Sequence, residues 1–280
     1  MMASYFFRRS FLTLLLALGA AGVFAQAQPA PKPFEPQVGQ EGKDVIWVPT
    51  PQELVDKMLD MAKVTPNDYV IDLGSGDGIT VITAAKRGAR ALGIEYNPDM
   101  VELSKRNAAQ AGVSGKASFV KADIFESDFS KATVITMYLL PQLNLKLRPT
   151  ILNLKPGTRI VSHAFTMEEW TADQTESVDS RTAYLWIVPA KVEGSWQLAQ
   201  GELVLKQNFQ MLAGTLKSGG QTMTIANGKL RGDQISFSAG GAEYTGRVSG
   251  NAIAGTVKGS GSGKWSATRS SKPAAAPAKY

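Results

Sequence analysis

Three carboxylates and a run of glycines carry the chemistry of this sequence. In "VIDLGSGDGIT", residues 70–80, an apolar run reaches Asp72, and Gly74, Gly76 and Gly78 follow at alternate positions. A strand that enters a glycine turn and then a helix is how open α/β sheets hold ligands at their carboxyl edge. The spacing is G-x-G-x-G, with Ile79 where a dinucleotide fingerprint needs its third glycine, and no Gly-Lys-Ser/Thr ending of a phosphate loop is present. A carboxylate at Asp72 also repels a pyrophosphate. Glu95 closes the next apolar run, "RALGIEY", where an acid can accept both hydroxyls of a ribose, and Asp123 in "KADIF" ends a third, within reach of an adenine amino group. An ammonium and a sulfonium suit the first acid, so the expected cofactor is S-adenosylmethionine. The candidate cofactor-binding set is Thr50, Asp72, Gly74, Ser75, Gly76, Glu95, Tyr96, Asp123 and Ile124.

The surrounding pattern has to place these groups at matching strand ends. "TPQELVDKMLDMAKV" predicts a helix opened by a capping box, with Thr50 as cap, Pro51 at the first helical position and Glu53 answering it. "DYVIDLGSG" is a continuous apolar run of the kind found in central parallel strands. "ITVITAAKRGA" predicts the helix after it, and "NPDMVELSKRNAAQAG" another, closed by Gly112. Strands follow at "ASFVKAD", "ATVITMYLL" and "TRIVSHAF", with a helix around "PQLNLKLRPTILNL" and a last strand at "TAYLWIVPA". Alternation of this kind is the signature of an α/β domain, here from about 44 to 190.

From about 191 the helical period disappears and glycine-rich, alternating patterns take over. Asn227-Gly228 predicts a tight hairpin turn. "LAGTL", "YTGRV" and "IAGTV" form a weak repeat with glycine in mid-strand, which predicts bends in a curved antiparallel sheet. The expectation is a small β-barrel or sandwich over 191–270, with Trp196 and Trp265 near its two ends and a disordered tail over 271–280.

"VIDLGSGDG", "GIEYNP" and "KADIF" resemble the successive motifs of class I S-adenosylmethionine-dependent methyltransferases. "WVPTPQELVDKML", "YLLPQLNLKLRP" and "EEWTAD" narrow the resemblance to the seven-β-strand protein-lysine methyltransferases related to the enzyme that methylates the ATP synthase c-subunit. The resemblance runs from about 44 to 189. It implies a Rossmann-like seven-stranded sheet with a terminal antiparallel strand, and lysine as the methyl acceptor.

Methyl transfer is an in-line displacement at an activated carbon, so the protein needs chiefly to position and desolvate the nucleophile. Tyr138 and His163 are the candidate catalytic residues, at the ends of the fourth and fifth strands. Tyr138 can orient an amine by its hydroxyl or ring face, or simply pack at the rim. His163 can act as a base, or as a hydrogen-bonded residue of the core. The chain of 280 residues has no cysteine and one histidine, which excludes disulfides, thiolate chemistry and a multi-histidine metal centre. Its net charge of +6 is scattered, so no nucleic-acid partner is expected.

Arg8, Arg9 and the apolar stretch Phe11–Ala21, followed by Val23-Phe24-Ala25 or Ala25-Gln26-Ala27, read as a cleavable export signal over residues 1–25. A Pro-rich linker, 26–43, follows. The mature chain is expected to be periplasmic, with an uncleaved membrane tether as the alternative. Export and a cytoplasmic cofactor pull apart, so a second function stays open: a non-catalytic binding or scaffold protein that keeps the fold, with the β-rich domain contacting an envelope ligand.

Overall fold

The computed structural model describes residues 34–260 and 262–270. The expected export signal, the first part of the linker and the tail at 271–280 lie outside these. The apolar runs build one seven-stranded sheet from β1 (Tyr69–Leu73), β2 (Arg90–Glu95), β3 (Ala117–Lys121), β4 (Val134–Met137), β5 (Arg159–His163), β6 (Gln174–Val178) and β7 (Arg181–Ile187). Its order is β3-β2-β1-β4-β5-β7-β6. The first five strands are mutually parallel, and β7 and β6 run antiparallel at one edge. This is the Rossmann-like methyltransferase sheet. The strand order reverses between β1 and β4, the switch point at which such sheets bind ligands.

Period-two alternation sends one set of side chains to each face. Val70, Val134 and Val161 join α1 (Gln52–Met61), α2 (Ile79–Lys86) and α3 (Pro98–Gln110) in one core, while Ile71, Ile135 and Ile160 join α4 (Pro141–Ile151) in the other. Asn97 caps α3, accepting from Asp99 N and Met100 N.

Local expectations failed at three places. The capping box at Thr50 does not form: α1 starts one residue later, after an extended Pro51, and no side chain among the described residues caps it. The hairpin partner β6 was not anticipated, because its turn at Asp179-Ser180 takes positive φ (47° and 64°) without the Asn-Gly or Asp-Gly that announces such turns. Asn227-Gly228, in contrast, makes no hairpin. It forms a bulge inside a strand, where a Cβ on Gly228 would sit 2.5 Å from Leu212 O.

That strand belongs to a closed antiparallel barrel made of β8 (Gly194–Leu198), β9 (Gly201–Asn208), β10 (Met211–Ser218), β11 (Gln221–Thr224), β12 (Ala226–Arg231), β13 (Gln234–Ala239), β14 (Ala242–Ser249), β15 (Ala252–Gly259) and β16 (Gly263–Arg269). β11 and β12 are two halves of one bent strand beside β10, so the ring counts as eight strands. β16 pairs with β8 to close it, which leaves no sheet edge exposed in the ring. Trp196, Leu205, Phe237, Ile253 and Trp265 are among the side chains that fill its core. The mid-strand glycines of the repeat lie at close backbone approaches: a Cβ on Gly214 or Gly255 would sit 1.9 Å from a carbonyl oxygen of the neighbouring strand.

The barrel docks where β5 begins and β7 ends. Ala190 N donates to Gly232 O (2.8 Å), Gln210 Nε2 donates to Thr171 O (2.7 Å), and Phe209 stacks on Trp170 with ring centroids 5.9 Å apart. Trp170 is fully buried, and Trp186 Nε1 donates to its carbonyl. Replacing Trp170 with Ala is expected to cost about 3–5 kcal/mol of folding stability. A urea midpoint that does not move would show that this joint carries little of the fold.

Candidate functional site

The carboxyl ends of β1 to β4 open into a cavity of about 290 Å³, the scale of a small-molecule site. Thr50, Asp72, Gly74, Ser75, Gly76, Glu95, Tyr96, Asp123, Ile124 and Tyr138 all line it. His163 does not. It lies 3% exposed behind Tyr138, with the two rings stacked at 3.8 Å.

The glycine loop is held from several directions. Gly74 N and Ser75 N donate to Ile94 O, Ser104 Oγ donates to Gly76 O (2.8 Å), and Asn107 Nδ2 donates to Asp77 O (2.9 Å). Gly76 has φ of 53°, and a Cβ there would lie 2.8 Å from Trp47 Nε1, so glycine is needed for both conformation and clearance. Glu95 spans the turn: its two carboxylate oxygens accept from Gly76 N and Asn97 N, each at 2.9 Å.

Asp72 accepts from Thr136 Oγ1 at 2.6 Å. Burial pushes its pKa up to about 7; the Thr136 hydrogen bond opposes this, and the charges of Glu95 and Asp77 add to it. Without a cation beside it, the carboxyl is thus half-protonated near neutrality. Asp123 accepts from Phe125 N (2.9 Å) and forms an ion pair with Lys43, which holds it below the usual carboxylate range.

Several lining residues escaped the sequence. Residues 37–50, expected as the end of a linker and the start of a helix cap, cross the cavity mouth as an irregular strap. Gly39 N donates to Trp47 O, Trp47 N to Gln40 O, and Gly42 N to Val45 O, all at 2.9 Å. The strap brings Lys43 over the Tyr96 ring (4.7 Å) and Trp47 over the glycine loop. The local hint is the apolar run Val45-Ile46-Trp47-Val48 in an otherwise polar, Pro-flanked stretch, but it does not say where the run packs. Phe165 also lines the cavity, stacked on Tyr138 at 6.1 Å.

These residues fit S-adenosylmethionine. The buried Ser75 Oγ has no hydrogen-bond partner among the described residues, and the glycines leave a cradle that a Cβ would crowd. Asp72, Glu95 and Asp123 line the same cavity, together with Trp47 and Tyr96.

Comparison with known proteins agrees with this geometry. Residues 72–174 match the family described as the ANTKMT methyltransferase domain. A protein-lysine N-methyltransferase of Saccharolobus islandicus is 43% identical over 151 residues, covering 51% of this chain and 94% of that protein. The Mus musculus lysine N-methyltransferase of the ATP synthase c-subunit is 31% identical, covering 63% of this chain and 71% of that protein. A Salinibacter ruber RNA methyltransferase, solved with S-adenosyl-L-homocysteine, superposes with a TM-score of 0.51 at 48% identity, covering 52% of this chain and 96% of that one. The barrel lies outside the family match. On fold, cofactor cradle and relatives together, the chain belongs to the protein-lysine methyltransferase family of class I S-adenosylmethionine-dependent methyltransferases.

Proposed function

We propose that the methyl acceptor is a lysine amine of a protein. The observation that carries this is charge. Glu41, Asp44, Asp72, Asp77, Glu95 and Asp123 line the cavity, and among the described lining residues Lys43 is the one cation. Such a surface attracts an ammonium and repels the phosphates that accompany every RNA base. The relatives named for lysine methylation point the same way.

Bound S-adenosylmethionine supplies a methyl carbon already activated by its sulfonium. The amine must lose its proton first, and the half-buried walls formed by Tyr138, Leu140 and Phe165 favour the neutral form by desolvation. With the proton released to solvent, the neutral amine would be the nucleophile toward that methyl carbon, and S-adenosylhomocysteine would be the leaving group. Tyr138 is assigned to the acceptor side, where its ring face can hold the amine in line. The cofactor contacts proposed are Asp72, the 74–76 loop, Glu95, Tyr96, Asp123 and Ile124, with Thr50 at the cavity edge.

The test is incubation of the purified protein with methyl-labelled cofactor and separate pools of protein and RNA. Label recovered as methyl-lysine in hydrolysed protein is the expected result. Label confined to nuclease-sensitive material would overturn the proposal. The non-catalytic alternative, and barrel contact with the envelope, find no support in the site or the relatives. Export is proposed on residues 1–25 alone, with a periplasmic location in view. A C-terminal reporter active only outside the cytoplasm would support it, and one active inside would reject it.

A further inference from the structure

We propose that His163 is a positioning residue, which ties the start of α1 to the acceptor-side ring of Tyr138 through its bond to Thr50. This rests on the reading of Tyr138 as the residue that meets the acceptor.

Four observations converge on it. The Tyr138 and His163 rings stack at 3.8 Å with 30° between planes, closer than the 4.8 Å of the stacked Phe237 and Tyr244 in the barrel. His163 Nδ1 and Thr50 Oγ1 share a buried hydrogen bond of 3.1 Å across 113 residues of chain. Thr50 is also the last residue of the strap over the cavity, so the bond joins that cover to the sheet. Ala164 then takes φ of 64°, uncommon for a residue with a Cβ, and Phe165 N donates to His163 O at 2.8 Å. This tight turn brings Phe165 onto Tyr138 as well, at 6.1 Å. Local strain of this kind persists where the surroundings over-determine it, and such places cluster at functional sites.

The ring is suited to holding rather than to proton transfer. It does not line the cavity, and burial together with Arg181 pushes its pKa down to about 4. A neutral imidazole behind Tyr138 adds no positive charge against an incoming amine or sulfonium. Its bond fixes the ring plane, and the stack transmits that plane to Tyr138.

The contrast to exclude is a histidine that merely fills the core. Two variants remove the same bond from opposite sides: His163→Phe keeps an aromatic ring for the stack, and Thr50→Val is nearly isosteric. On the proposal each lowers kcat for a lysine acceptor about 10-fold, an expected loss for a misaligned reacting group. For His163→Phe, a residue off the cavity wall, the dissociation constant for S-adenosylmethionine measured by calorimetry should stay within about twofold. The double variant should be no worse than either single, because both delete one interaction. Thr50→Ser, which keeps the hydroxyl, should restore turnover.

Unchanged kcat in Thr50→Val would overturn the proposal, as would effects that add in the double variant. A loss of cofactor affinity in His163→Phe equal to its loss of kcat would also overturn it. Wild-type protein inactive on lysine but active on RNA would defeat the acceptor assignment. The same variants assayed on RNA would then report on His163 separately.

Discussion

Replacing Glu95 with Ala is expected to weaken S-adenosylmethionine binding by about 100-fold or more while leaving the protein folded. Two of its roles are lost together. The carboxylate now accepts from Gly76 N and Asn97 N, bonds that hold the glycine loop and the exit of β2 in register. It is also the proposed acceptor for the ribose hydroxyls. A hydrogen bond to a charged group contributes about 1.5–3 kcal/mol, so losing the equivalent of two passes 100-fold in affinity. Glu95→Gln should fall between, because an amide keeps one acceptor oxygen but turns an N–H donor toward the second backbone N–H. Calorimetric titration with S-adenosylmethionine and with S-adenosylhomocysteine reads both effects. Undiminished affinity in the Ala variant, with an unchanged melting curve, would refute the assignment of this residue to the cofactor.

The second large effect is on pH. Asp72 is buried, and its pKa in the ligand-free protein is raised to about 7 from an ordinary 3.8. An unfolded chain releases this proton near 3.8, whereas the folded protein keeps it up to about 7. Its contribution to stability is therefore full below the lower value and lost as pH rises through the upper one. Cofactor binding has the opposite sense. A cationic ligand favours the carboxylate, so binding expels the proton, and affinity should rise with pH until Asp72 is ionised on its own. Between about pH 5.5 and about pH 7 the slope should approach one proton, close to tenfold per unit, and then flatten. Asp72→Asn preserves an acceptor for the Thr136 hydroxyl and carries no charge. In that variant the dependence should disappear and the affinity at about pH 7.5 should drop by about tenfold or more. A wild-type affinity flat across this range would contradict the placement of Asp72 beside a cation.

Much of the α/β domain was legible because its signals are local. An apolar run that ends in a glycine turn and is followed by a helical pattern reads as a buried strand entering a helix. Three apolar runs, ending at Asp72, Glu95 and Asp123, place three acids at one sheet edge once the strands are parallel. The helix read from "NPDMVELSKRNAAQAG" forms as α3, and the structure adds that Asn97 caps it. β6 was missed because its turn residues give no local sign of the conformation they adopt.

The failures share a different cause. Thr50 has the sequence of a helix cap, yet its hydroxyl is spent on His163, 113 residues away. A side chain with one good local partner and one good distant partner cannot be resolved from its neighbours. Asn227-Gly228 has hairpin chemistry, but positive φ serves a bulge equally well, and the approach of Leu212 from β10 decides which. His163, whose residue type left open a base or a hydrogen-bonded residue of the core, lies behind Tyr138 and off the cavity wall, bonded to Thr50.

The sequence by itself determined the cofactor cradle, the class of sheet and the change to β-rich structure near residue 191. These follow from hydrophobic period and from backbone conformations that few residues besides glycine adopt readily. Only the tertiary structure decided that residues 37–50 fold over the cavity and that Phe165 and His163 flank Tyr138. It alone decided that β16 returns to β8 to close the barrel, and that the barrel sits at the end of the sheet remote from Asp72, Glu95 and Asp123. Each of these depends on contacts between segments far apart in the chain. Their free energy appears only when the whole core is assembled, and no window of neighbouring residues carries it.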